Sequence, residues 1–224
     1  MLVRAGEMTL GIKLTAVLFS ALLLAGCPSL WSSGAVEKAS TPEELFQKAE
    51  EHFRNKNYSQ SIEVFERIKS AHPDFKKIPE VYLKLADASF NQGSYEKAAS
   101  RYLQFVELYP AEKEVPRAKF QIAMCYFNQI KNMDLDSRAV KLALDSFKLV
   151  ADDANAGEWG KKADEKVKEC LKKLAEKEIY KAQTYLSVSN YTAARLAAKR
   201  VLEEFPKMGY DDKAQELIKK LKGK

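Results

Sequence analysis

The chain has 224 residues, enough for one sizeable core or one continuous repeat array. It is 46% hydrophobic and 30% charged with only nine Gly and seven Pro; helix formers dominate and runs of Val, Ile and Thr are absent, which leaves little to build a sheet and points to an all-α protein. The formal charge is +6 and the surplus lies at one end, where Lys161 to Lys224 holds 17 basic and 10 acidic residues. Only Arg195 and Arg200 of those 17 are arginine and no nucleic-acid motif accompanies them, so no nucleic acid is expected as a partner. Two readings of the tilt stay open: a basic face (Arg195, Lys199, Arg200) that meets an acidic partner or anionic lipid, or a set of solvated lysine-rich helix faces.

Residues 1–26 read as a signal peptide. Leu14 to Gly26, thirteen residues without a charge after Lys13, is too short to span a bilayer and the right length for the apolar core of a secretory leader. Glu7 is out of place in a segment that is ordinarily basic, so Met8 is an alternative start to Met1. The leader ends Leu24-Ala25-Gly26-Cys27, which resembles the lipobox of bacterial lipoproteins. That resemblance implies cleavage before Cys27 and acylation there, several chains making the anchor effectively permanent. The lipid on Cys27 is the one covalent group expected, and no cofactor or metal is. Residue 28 is Pro rather than Asp, which favours the outer membrane. Residues 27–40 form a Pro/Ser/Gly-containing tether whose thirteen residues after Cys27 reach at most about 45 Å.

From residue 41 the pattern is helical. Thr41-Pro42-Glu43-Glu44 is a helix start: Thr41 caps, Pro42 suits the first turn, and Glu44 completes a capping box. Small residues and Pro then recur twelve apart, as Ala49, Ser61, Pro73; Ala86, Ala98, Pro110; and Ala182, Ala194, Pro206. Between each pair of small residues lies a turn at Asn57-Tyr58, Gly93-Ser94-Tyr95 or Asn190-Tyr191. A small side chain on each of two antiparallel helices lets them approach closely, an aromatic one turn later (Phe65, Tyr102) fills the gap to the next unit, and Pro ends the second helix. The pattern resembles the tetratricopeptide repeat.

The fold class expected is an all-α, tetratricopeptide-type solenoid of antiparallel helix pairs over 41–224, about four and a half repeats, with units near 42–75, 79–112, 116–155 and 175–206. In the third unit the partner of Ala123 is Ala143, twenty residues on, so either the first helix is extended or about eight residues are inserted around Gln129 to Ser137. Lys161 to about Ser187 holds no Pro or Gly and reads as one long helix. A last helix over 211–221 begins a fifth unit and is expected to cap the array.

Phe46, Leu83 and Phe120 recur at intervals of 37, and so do Phe53, Phe90 and Phe127. The rows lie seven apart on each first helix, hence on one side of it. Either they line a groove for an extended peptide ending in an aromatic residue, with Glu50, Asp87 and Asn91 as polar contacts, or they widen the core between units. Solvent accessibility decides. His52 and His72 are the only histidines, and no phosphate loop, nucleophile elbow or carboxylate pair is present. Cys125 and Cys170 are open to a disulfide or to service as small apolar residues. Asp134-Leu135-Asp136 is too short for a calcium site.

Features beyond the bare repeat resemble the BamD-type lipoproteins of the outer-membrane β-barrel assembly machinery. They are the altered third unit (Asp136-Ser137-Arg138, Ala143-Leu144, Phe147-Lys148-Leu149-Val150) and the series Leu174-Ala175, Glu178, Tyr185, Tyr191, Ala193-Ala194, Phe205-Pro206. The sequence departs from that family at Ala197, where an Arg is expected. The resemblance implies a non-enzymatic periplasmic scaffold, lipid-anchored to the outer membrane. It would hold POTRA domains of a BamA-like protein and smaller Bam lipoproteins through its C-terminal half, and C-terminal segments of unfolded β-barrel substrates through its N-terminal half. Alternatives are another envelope repeat lipoprotein, serving Tol–Pal coordination or secretin assembly, and a periplasmic enzyme, for which no catalytic constellation is found.

Overall fold

The computed structural model describes residues 40–130 and 137–223. The leader, both candidate starts, Cys27, the tether up to residue 39 and the segment 131–136 lie outside the described residues. Among the described residues all regular structure is helical. The elements are α1 (Pro42–Arg54), α2 (Tyr58–Ala71), α3 (Ile78–Asn91), α4 (Tyr95–Leu108), α5 (Val115–Asn128), α6 (Arg138–Ala151), α7 (Glu158–Ser187), α8 (Tyr191–Glu204) and α9 (Asp211–Lys220). Each packs chiefly on the helix before it and the helix after it, as in a tetratricopeptide-like solenoid.

Local chemistry sets the helix ends. At α1 the capping box is formed: the Glu44 N–H donates to Thr41 Oγ1 at 3.2 Å and the Thr41 N–H donates to Glu44 Oε2 at 3.1 Å. Three first helices close in the same way, with one residue in the left-handed region seven positions after the small residue. These are Lys56 (φ 60°), Gly93 (φ 83°) and Ser189 (φ 58°). The next N–H then reaches five residues back: Asn57 to His52, Ser94 to Ser89 and Asn190 to Tyr185, at 2.8, 3.0 and 2.9 Å. Three second helices stop at the residue before Pro, which the ring pushes out of helical geometry: His72, Tyr109 and Phe205, with ψ of 62°, 57° and 47°.

The small residues do what their size allows. Ala49, Ser61, Ala86, Ala98, Ala123, Ala143, Ala182 and Ala194 are all at 0% exposure, so the backbones of each pair approach to contact. In the first pair the Ser61 hydroxyl donates to the Ala49 carbonyl oxygen at 2.9 Å. One turn on, Phe65, Tyr102 and Phe147 fill the space toward the next pair, and all three are fully buried. The fourth pair has Ala198 there instead, and its core is made largely of alanines with Ile179, Val201 and Leu217.

Helix α5 ends at Asn128, at the same point of its repeat as Asn91 in α3, so the first helix of the third pair is not extended. The extra residues lie between Asn128 and Arg138. Helix α7 starts at Glu158, three residues before the expected Lys161, and its thirty residues span about 45 Å. Its N-terminal part, up to Leu174, packs Ala163, Cys170 and Leu174 into the core under α5 and α6, and the remainder packs Ala175, Ile179 and Ala182 against α8 and α9. Phe205 touches both cores. α7 therefore serves two pairs at once. In and just after α9, Ala214, Leu217 and Leu221 are buried, and Arg195 Nη2 donates to the Leu221 carbonyl oxygen at 2.6 Å. Cys125 and Cys170 are free thiols in separate cores, and burial pushes each up to about 12.

Candidate functional site

The two rows on the first helices have different fates. Phe46, Leu83 and Phe120 are buried. Phe46 meets the rings of Phe65 and Phe75 at 5.6 and 6.0 Å, and Phe120 meets Phe147 and Trp159 at 5.5 and 5.3 Å. This row widens the core between neighbouring pairs. Phe53, Phe90 and Phe127 sit at the far ends of the same helices and stay half-buried. Phe53 and Phe90 pack edge-on against Tyr58 and Tyr95, the first residues of the following helices, at 5.5 and 5.4 Å. The outer sides of two of these rings are covered by lysines: Lys84 lies 5.6 Å from the Phe53 centroid, and Lys166 and Lys173 lie 4.6 and 5.7 Å from that of Phe127.

Glu50 and Asp87 face the next first helix along. Lys84 Nζ donates to Glu50 Oε1 at 2.9 Å, and Arg117 clasps Asp87 with Nη1 and Nη2 at 3.1 and 2.8 Å. Lys119 continues the series to Asp153 at 3.0 Å, and on the second helices Arg101 reaches Glu66 at 2.9 Å. Partners stand 30 to 35 residues apart; the Lys84, Arg117 and Arg101 bridges tie a pair to its neighbour, and Lys119 ties the first helix of the third pair to the turn after its second. Lys84, Arg101, Arg117, Lys119, Glu66 and Asp153 were missed by the sequence reading; opposite charges about one repeat apart are the signal that finds them. Asp87 also accepts from the buried Tyr102 hydroxyl at 2.5 Å. Burial, with the charge of Asp87 and the hydrogen bond to it, holds the Tyr102 phenol far above the usual tyrosine range. Burial lowers the Arg117 guanidinium, but the hydrogen bond and charge of Asp87 more than restore it, so its net shift is upward. Asn91 is exposed, its amide donating to the Asp87 carbonyl oxygen at 2.8 Å.

Between α3 and α5 a cleft of about 540 Å³ opens. Leu83 and Asp87 of the predicted groove line it, together with Pro79, Glu80 and Lys84 of α3, Phe105 of α4, Glu112 to Glu114 of the connection and Arg117 of α5. The structure thus brings two of the nine groove residues to one opening. It places Phe46 and Phe120 in the core and the remaining members along the first helices.

On the C-terminal side the basic face is partly used internally. Arg195 closes the end of α9, as above. Arg200 lies 3.9 Å from both Glu178 and Glu204, between two carboxylates. Lys199 is exposed. Glu178 is buried, with Oε1 on Lys181 at 2.6 Å and Oε2 without a hydrogen bond, 3.9 Å from Arg200 Nη1. Among the described residues no group of three His, Cys, Asp or Glu is placed to hold a metal ion, and no helix is long and apolar enough to cross a membrane.

No curated protein matches the chain. The family model of YfiO, described as an outer membrane lipoprotein, matches residues 38–222, which takes in every helix from α1 to α9. The chain belongs to this family of BamD-type outer membrane lipoproteins.

Proposed function

We propose that the chain is a non-enzymatic scaffold of outer-membrane β-barrel assembly, held at the periplasmic face by lipid on Cys27. Its C-terminal half receives POTRA domains of a BamA-like protein and companion lipoproteins, with Arg195, Lys199 and Arg200 on the facing side. Its N-terminal first helices receive an extended C-terminal segment of an unfolded barrel protein, along the face carrying Phe53, Phe90, Phe127, Glu50, Leu83, Asp87 and Asn91.

The observation that carries the groove is the cleft between α3 and α5, which opens where Leu83 and Asp87 stand and is large enough for a side chain with its adjoining backbone. Family membership supports the envelope location, and the resemblance to BamD-type proteins supports the choice of partners. Phe46 and Phe120 act from the core, setting the spacing between first helices rather than touching the peptide. A scaffold reading also fits the polar groups near the cleft: Glu50, Asp87 and Arg117 are committed to bridges between repeats, which leaves them to shape a surface rather than to move protons.

Crosslinking in whole membranes followed by purification of the lipoprotein tests this reading. It predicts recovery of a POTRA-containing barrel protein. Recovery of a secretin or of a Pal-type lipoprotein in its place contradicts it.

A further inference from the structure

We infer that the cleft between α3 and α5 receives a lysine or arginine side chain of the bound chain segment, so that a basic residue is part of what the groove selects. The inference rests on the peptide-holding reading above.

The charges around the cleft lead to it. Seven charged residues line the opening: Glu80, Asp87, Glu112 and Glu114 against Lys84, Lys113 and Arg117. Lys84 and Arg117 already have carboxylates, and Lys113, with its side chain 88% exposed, is solvated at the edge. Lys84 is on Glu50 at 2.9 Å, Arg117 is on Asp87 at 2.8 Å and Glu114 at 3.5 Å, and Lys113 leans on Glu114 at 3.9 Å. Glu80 and Glu112 make no ion pair among the described residues. Glu80 stands in the first turn of α3, where the helix dipole favours the ionised carboxylate without neutralising it. An entering anion would therefore meet two unpaired negative charges and compensated cations, whereas an entering cation meets the reverse.

The shape selects the kind of cation. Pro79, Leu83 and Phe105 give the opening an apolar part below the charged rim. Lysine and arginine carry methylene stems that lie on apolar surface while the charged head stays at the wet edge. A stem against Pro79 and Leu83 with its head toward Glu80 and Glu112 satisfies both parts of the cleft. A small hydrated cation would use only the rim, and an aromatic side chain would leave the two carboxylates unanswered.

The test uses the lipidated protein in detergent and fluorescein-labelled extended dodecamers of alternating Ser and Tyr ending in Phe. Each serine is replaced in turn by Lys, Gln or Glu, and binding is read by fluorescence anisotropy. At one position the Lys peptide should bind roughly three- to tenfold more tightly than the Glu peptide at about 50 mM salt, the gap closing at about 500 mM. The E80Q/E112Q variant should lose the Lys-over-Glu preference, and E80K/E112K should reverse it. Equal binding of Lys and Glu peptides by the wild type, with the Gln peptide bound, overturns the inference and leaves the groove standing. A preference that survives in E80Q/E112Q overturns it too. Binding of no peptide in any series sinks the groove itself and this inference with it.

Discussion

Asp87 on α3 and Arg117 on α5, thirty residues apart, form a two-pronged bridge of 2.8 and 3.1 Å, and the same carboxylate takes the hydroxyl of the fully buried Tyr102 at 2.5 Å. One side chain thereby joins α3, α4 and α5. Removing it leaves the buried Tyr102 hydroxyl without its partner and the largely buried Arg117 guanidinium with Glu114 alone, at 3.5 Å, and such under-satisfied groups cost more than the bridge contributes. Asp87→Ala is expected to destabilise the protein by roughly 2–3 kcal/mol in urea unfolding. Asp87→Leu combined with Arg117→Met and Tyr102→Phe should recover much of that loss, and a triple variant as unstable as the single one would contradict the argument.

The left-handed residues that close three first helices give a second expectation. Gly93 holds φ 83° without strain, while Lys56 and Ser189 hold φ near 60° with side chains. That geometry costs a non-glycine residue roughly 1–2 kcal/mol, more than the roughly 0.5–1 kcal/mol of extra entropy a glycine loses on folding. Lys56→Gly and Ser189→Gly should each gain roughly 0.5 kcal/mol. Gly93→Ala should lose about 1 kcal/mol although an added Cβ would meet nothing within 4 Å, so the loss is conformational alone. Thermal melting of the three variants checks the signs.

Close approach of paired helices is tested by bulk. Ala98 is at 0% exposure against α3, and a leucine there has no room. Ala98→Leu is expected to cost roughly 1–3 kcal/mol or more, whereas Ser100→Leu, exposed on the same helix, should stay within about 0.5 kcal/mol of wild type. Circular dichroism melts compare the two directly.

The buried thiols give a chemical check. Burial raises both Cys125 and Cys170 to about 12, so at pH 8 both stay in the unreactive thiol form. A maleimide or aromatic disulfide reagent should leave both unmodified in the native protein and titrate both after denaturation. Because both side chains are at 0% exposure, reagent reaches them only when the fold opens, so labelling should rise with denaturant in step with unfolding.

Much of the fold was legible because close helix packing needs small residues and their spacing survives in the chain. Ala49 and Ser61, or Ala182 and Ala194, mark where two backbones touch, and Pro73, Pro110 and Pro206 mark where helices stop. The depth of the aromatic rows was not legible. Periodicity places Phe46 and Phe53 on one side of α1, but whether a ring is covered depends on what the next pair brings to that level. Phe75 and Phe65 cover Phe46, while Phe53 stands beside its own turn, edge-on to Tyr58 with Lys84 over its ring, and stays half-buried. The cleft was legible only in Leu83 and Asp87, since Phe105, Glu112 and Arg117 arrive from other elements. The inserted connection of the third pair kept its length in the sequence, and α5 ending at Asn128 settles which side of it is helical.

The central claim, that the first-helix face holds a segment of unfolded barrel protein, is tested most directly by photocrosslinking in living cells. A photoreactive amino acid is placed at Glu80 at the cleft mouth, and separately at Gln104, exposed on the second helix of the same pair. Adducts with barrel-protein precursors from position 80 and none from position 104 are the predicted result. Precursor adducts from both positions alike, or from neither while POTRA-domain adducts form elsewhere on the protein, would contradict it.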